Sequence, residues 1–282
     1  MIVIAVALGG LAVWNMYSVK STAVTLADAY VPAVQVANEV ERDSLHTMYE
    51  ARGYAYTEDP KFLEKAKANL EQVKQDLASA KEHADQFNLP VLKEHSVEAE
   101  KAAGQYEQLL NETVALTNEL AQEKEKSIKA ADKYMQVCAD FLESQQKALE
   151  ADVAKAFSKE NETAGAAAMT ADKLLERTRK IVLVNEVIDL GNWIRIGTWQ
   201  AIANRDPELF KATQKKFEDV NRKLDELKAI TRLDVNLKQI EECRAAGKEY
   251  LESMVGFLDD WTAREELGKK RGEVAAAVLA AA

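Results

Sequence analysis

Two stretches of this chain, 147 residues apart, open in the same way: Asp59-Pro60-Lys61-Phe62-Leu63 and Asp206-Pro207-Glu208-Leu209-Phe210. Aspartate is a favoured N-cap, and proline suits the first helical position because its missing N–H would be unpaired there anyway. Apolar residues then recur in register. Phe62, Leu63, Leu70, Val73 and Leu77 answer to Leu209, Phe210, Phe217, Val220 and Leu224. Each Asp-Pro pair directly follows a helical pattern, so each marks a hairpin in which one helix turns back beside another. Two such hairpins predict two helical bundles.

Composition agrees. Among 282 residues there are only 11 glycines and 4 prolines, and Pro32, Pro60, Pro90 and Pro207 all lie near proposed helix starts. Runs of β-branched residues are almost absent outside 181–202, so the class is all-α. A net charge of −10 leaves no basic stripe to offset phosphate repulsion, which argues against nucleic acid. Cys138 and Cys243 are too few for a disulfide framework or a zinc site, and His46, His83 and His95 lack ligand spacing. No phosphate loop, dinucleotide fingerprint or nucleophile elbow occurs. We therefore expect no enzyme, no metal and no cofactor.

Both ends carry a signal for a membrane. Residues 1–17 hold no charge and finish with Trp14 and Tyr17 before Lys20, the pattern of an interfacial edge. This is near the lower limit for a spanning helix, which needs ~20 residues. Residues 1–19 are thus read as a membrane helix. Val274 to Ala282 is wholly apolar and reads as the start of a second one, over 273–282. A sensor-like domain over 20–272, held at both termini on the extracytoplasmic side of a bacterial inner membrane, is the expectation.

Breakers divide that domain into six helices. The first runs from about Thr22 to Thr57, the second from Pro60 to Phe87, and the third, after a turn at Asn88-Leu89-Pro90, to about Phe157. A break at 158–163 precedes the fourth, which ends at Asn204. The fifth spans Pro207 to Ile230, and the sixth begins at about Leu233. The third helix would be ~100 Å long at a rise of ~1.5 Å per residue, too long for one small bundle. Two long helices and four short ones then make two stacked four-helix bundles. The membrane-proximal bundle would take mainly 20–115 and 250–272, the distal one mainly 116–249. The same rise places Cys138 and Cys243 ~18 Å apart, beyond disulfide reach.

Charges inside apolar seams need an explanation. The sixth helix has the seam Leu233, Leu237, Ile240, Arg244, Gly247, Leu251, Met254, Leu258, Trp261. The fourth gives Leu174, Arg177, Ile181, Val184, Ile188, Gly191, Arg195, Thr198, Ile202. A buried guanidinium is best compensated by a bidentate carboxylate, from a ligand or from an internal partner such as Glu186 or Asp189. Residues 181–202 are apolar on nearly every face and predict a helix enclosed by its bundle. Trp193 and Trp199 flank Arg195, and Asn192 offers an amide, so Arg195, Trp199 and Asn192 together suggest a water-excluding pocket for a small anion. The first helix has two rival seams. One contains Val31, Val34, Asn38, Glu41, Leu45, Met48, Arg52 and Ala55; the other, Leu26, Tyr30, Ala33, Ala37, Val40, Ser44, Thr47, Ala51 and Tyr54, is uncharged.

A membrane helix, an all-helical outer domain of ~250 residues with two hairpins, and a return to the membrane resemble the helical bimodular sensor domain. That domain belongs to bacterial chemoreceptors (methyl-accepting chemotaxis proteins) and some sensor histidine kinases. The resemblance covers residues ~20–272 and rests on helix order, the two Asp-Pro hairpins and arginine placement. It implies one ligand site per bundle, with arginines gripping small carboxylates, and a homodimer that signals by helix displacement. By position it suggests Arg52 on the first helix, Arg177 on the fourth and Arg244 on the sixth. Recognition of a periplasmic binding protein, or a purely structural stalk, are the competing expectations.

Overall fold

The computed structural model describes residues 2–156 and 171–281, and every element among them is helical. The fold is all-α. The break expected at 158–163 lies outside the described residues. Helix α1 (Ile2–Thr25) passes through a π-helical turn (Leu26–Tyr30) into α2 (Val31–Thr57), and α3 (Pro60–Phe87) and α4 (Pro90–Ala156) follow. Then come α5 (Ala171–Asn204), α6 (Pro207–Gln214), α7 (Lys216–Ala229) and α8 (Asp234–Ala281). The expected first helix is thus α1 and α2 run together, and the expected fifth is α6 and α7, separated at Lys215. Among the described residues no helix is long and apolar enough to cross a membrane.

The π turn has a local cause. Pro32 has no N–H to donate and its ring crowds the preceding turn, so a wider turn absorbs the defect without ending the helix. The Val31 N–H accordingly reaches back five residues to the Leu26 carbonyl.

Both Asp-Pro starts are N-caps as the sequence predicts. The Asp59 carboxylate accepts from the Lys61 N–H and the Asp206 carboxylate from the Leu209 N–H, each at 2.9 Å. The residue before each cap, Glu58 and Arg205, has φ of 61° and 53°, so one left-handed residue reverses the chain at both hairpins. Asn88, at φ 53°, does the same between α3 and α4. Asparagine tolerates this region better than most residues.

The chain divides into two compact units: Met1–Thr117 with Arg264–Ala282, and Asn118–Ala263. The first gathers α2, α3, the N-terminal part of α4 and the end of α8 around Val40, Ala51, Leu70, Val73, Leu77, Ala103, Leu110 and Ala275. On α2 the uncharged seam faces this core: Val40, Ser44, Thr47, Ala51 and Tyr54 are buried. The rival seam turns outward, with Val34, Leu45 and Arg52 exposed.

The second unit gathers the rest of α4, α5, α6, α7 and the start of α8 around Tyr134, Phe141, Val187, Ile194, Phe210, Phe217, Leu224, Ile240 and Met254. Its aromatic contacts tie α6 and α7 to α8. Phe210 packs on Phe257 and Trp261, with ring centroids 5.5 and 6.0 Å away, and Phe217 meets Tyr250 edge-on at 5.4 Å.

Two expectations are corrected here. Residues 250–263 belong to the second unit, because Tyr250, Phe257 and Trp261 supply its aromatic core. Residues 274–281 pack in the first unit, where Ala275 and Val278 are buried. Cys138 and Cys243 are not remote: both are buried in the second core, near enough for the one to raise the pKa of the other. Counting rise along helices accumulates the unknown register of every intervening turn. The neighbouring Cys138 thiol, and then burial, push Cys243 far above the ordinary cysteine range, so it is an inert core thiol.

Candidate ligand-binding site

On α5 the core face is Leu183, Val184, Val187, Gly191, Ile194, Thr198 and Ala201. This is rotated slightly from the predicted seam, and the rotation carries Arg177 and Arg195 to the flank. The helix is not enclosed: Trp193 is 68 % exposed, and Ile196 and Val182 are also exposed. The α8 core face is similarly displaced, to Ile240, Cys243, Ala246, Gly247, Tyr250 and Met254, which leaves Arg244 half-buried beside it. In both helices an arginine at a seam edge uses its length to keep its head group polar.

Arg195 and Trp199 come together as the sequence reading proposes. They line a cavity of about 150 Å³ within the second unit, with Lys124 and Asp132 from α4 and Thr198 from α5. Tyr250 and Phe257 from α8 and Phe210 from α6 complete the apolar side. A cavity of about 150 Å³ holds a molecule the size of benzene, so an occupant has roughly six heavy atoms. The Lys124 ammonium lies 5.4 Å from the Trp199 ring centroid. The Arg195 guanidinium approaches the Asp132 carboxylate only to 3.7 Å, beyond hydrogen-bond distance. Its donors therefore keep capacity for another acceptor. Tyr250 is buried; that burial raises its phenol, while a hydrogen bond with Thr198 and the charge of Arg195 pull it back. The polar side of the cavity is thus cationic, with one carboxylate at its edge.

The other predicted residues lie elsewhere. Asn192 is exposed and does not line the cavity. The Arg177 Nε donates to Asp152 at 3.0 Å. Arg244 donates to Asn221 at 3.0 Å and to Asp225 at 2.6 Å, with Glu241 at 3.5 Å. Neither uses the expected partners; Glu186 pairs with Lys223 at 2.9 Å. Arg52 lies in the first unit, on a small cavity shared with Met48, Tyr106 and Arg271.

Sequence reasoning missed Lys124, Asp132, Tyr250 and Arg271. The first two stand in the charged run 119–133, whose i,i+4 pairs look like a solvated face. Arg271 follows Lys269 and Lys270 and precedes Glu273, which hides it in the same way. Its own spacing from Met254 and Trp261 on α8 was the available signal.

No protein-family model matches this chain, and no curated protein matches it.

Proposed function

We propose that this chain is the extracytoplasmic sensor domain of a bacterial chemoreceptor, binding a small carboxylate in the second unit and passing the signal by displacement of α8. The observation that carries the reading is the cavity of about 150 Å³ walled by Arg195, Lys124 and Trp199, in which the arginine holds Asp132 only at 3.7 Å. The carboxylate would take Arg195 as a bidentate partner with Lys124 as a second charge, while Trp199, Phe210 and Phe257 exclude water around it. Because α4, α5, α6 and α8 all line the cavity, an occupant would favour one packing of these helices over another. The helix order that resembles helical bimodular sensor domains supports placing this activity in a membrane-anchored homodimer.

A second reading has its own support. Arg177 and Arg244 are paired internally, and α5 exposes Trp193, Ile196 and Val182, which suits recognition of a periplasmic binding protein. Thermal midpoints measured with acetate, propionate and four-carbon acids separate the two. The small-ligand reading expects a rise with at least one acid, more than tenfold weaker in Arg195→Ala and unchanged in Arg177→Ala. That loss matches the ~1.5–3 kcal/mol of a charged hydrogen bond. If no acid shifts the wild type, or Arg195→Ala responds equally, the carboxylate reading fails.

A further inference from the structure

Cys138 on α4 and Cys243 on α8 are the only cysteines of the chain, and both are fully buried. Three contacts fix how these two helices run beside each other. Lys133 pairs with Glu249, a Cβ on Gly247 would come 3.3 Å from the Tyr134 ring, and Ser144 Oγ stands 3.2 Å from Gln239 Oε1. Residue numbers rise along α4 as they fall along α8, so the helices are antiparallel and keep one register through this stretch. One turn on from Tyr134 is Cys138, and one turn back from Gly247 is Cys243. The two cysteines therefore stand at the same level of the same interface, with a contact on either side of them. That Cys138 raises the Cys243 pKa agrees with this placement.

A disulfide needs Cα atoms about 4.4–6.8 Å apart. Packed helix axes lie about 8–10 Å apart and each Cα stands about 2.3 Å off its axis, so directly facing positions approach to about 4–6 Å. Helix packing thus brings a facing pair within reach. Once the core has closed, neither thiol meets an oxidant, so the bond has to form while the chain folds.

We propose that Cys138 and Cys243 form a disulfide that staples α4 to α8 within the second unit when the chain folds in the presence of a disulfide oxidant. One cysteine thiolate attacks the oxidant's disulfide, which gives a mixed disulfide and releases one thiolate. The other cysteine thiolate then attacks the protein sulfur of that mixed disulfide, the protein S–S bond forms, and the second thiolate leaves. The two cysteines give up two electrons and two protons, and the oxidant takes them to become two thiols. The cysteines are 105 residues apart, and the loop they close contains α5, α6 and α7, so the bond strongly restricts the unfolded chain. An extracytoplasmic setting would supply such an oxidant. The pairing does not depend on the ligand reading and shares no residue with the carboxylate cavity.

The test uses the full chain, equilibrated in mixtures of reduced and oxidised glutathione with and without concentrated urea. Samples are quenched with acid, and thiols are counted by alkylation and mass spectrometry after unfolding. The chain refolded without urea is expected to be a monomer lighter by two hydrogens, with no thiol left to alkylate. It should keep the bond at a ratio of squared reduced to oxidised glutathione more than tenfold higher than the urea-unfolded chain does. Its thermal midpoint should be several degrees above that of the reduced protein, a rise absent in Cys138→Ala. The urea comparison needs no variant, so it decides even if Cys138→Ala does not fold. Two alkylatable thiols after oxidative refolding, cross-linked pairs of chains in place of the monomer, or a bond no harder to reduce than in urea would each overturn the proposal and leave two separate core thiols.

Discussion

Asp76 on α3 is 8 % exposed and accepts a hydrogen bond from Gln72 at 2.8 Å. Burial raises its pKa, against that hydrogen bond; Asp43 and Glu39 raise it further and Arg42 lowers it. A carboxyl whose folded value is raised binds its proton more tightly in the folded state. Its favourable contribution is therefore present below the unfolded value of about 3.9 and is lost as pH rises through the folded value. At neutral pH Asp76 is a cost. Asp76→Asn should raise the urea midpoint at pH 7, and the gain should shrink as pH approaches 4; a gain that grows toward acid would contradict the assignment. Asp43 behaves oppositely, because the Arg42 guanidinium bonded to it holds its carboxyl below the usual range. At this scale the caps Asp59 and Asp206 were legible because a cap is local chemistry. The partners of Arg177, Arg195 and Arg244 were not. Each is an aspartate from another helix or beyond a turn, and nothing along the sequence brings the two together.

Helix α5 shows how elements approach one another. A Cβ at Gly191 would lie 2.5 Å from Tyr134 Cε1 and 2.9 Å from Met135 Sδ. Tyr134 is fully buried and its hydroxyl donates to the Val187 carbonyl at 3.0 Å, so the ring has little freedom to retreat. Gly247 on α8 faces the other edge of the same ring, where a Cβ would come no closer than 3.3 Å. Gly191→Ala is expected to destabilise the protein by about 1–3 kcal/mol through overpacking. Gly247→Ala should be near neutral, since a helix-propensity gain of ~1 kcal/mol offsets a milder crowding. Equal effects in chemical denaturation would show that Tyr134 does not set the spacing. The existence and order of the helices could be read from periodicity and breakers. Their rotation could not, because a shift of one position in a seam leaves the apolar count almost unchanged, and it was this shift that moved Arg195 and Arg244 from seam to flank.

For the molecule as a whole, α4 and α8 each contribute to two separate cores, whereas α3 serves only the first and α5, α6 and α7 only the second. Leu224, on α7, is 1 % exposed. Leu224→Ala should cost about 2–5 kcal/mol. Hydrogen exchange is expected to quicken in α5, α6 and α7 while α3 keeps its protection, because opening free energies follow cooperative units. Uniform acceleration would mean that the two cores unfold as one.

The helical class, the two hairpins with their aspartate caps, and the presence of two cores follow from residues near one another along the chain, where propensity, capping and turn chemistry act. Rotation about each helix axis, the allocation of 250–263 and 274–281 between cores, and the burial of Cys138 and Cys243 in one core depend on contacts between residues far apart along the chain. The opening repeat therefore locates the turns. The candidate site, with Arg195 and Lys124 on one cavity, arises only where distant helices pack, because a cavity is made by the surfaces around it and belongs to no single stretch of sequence.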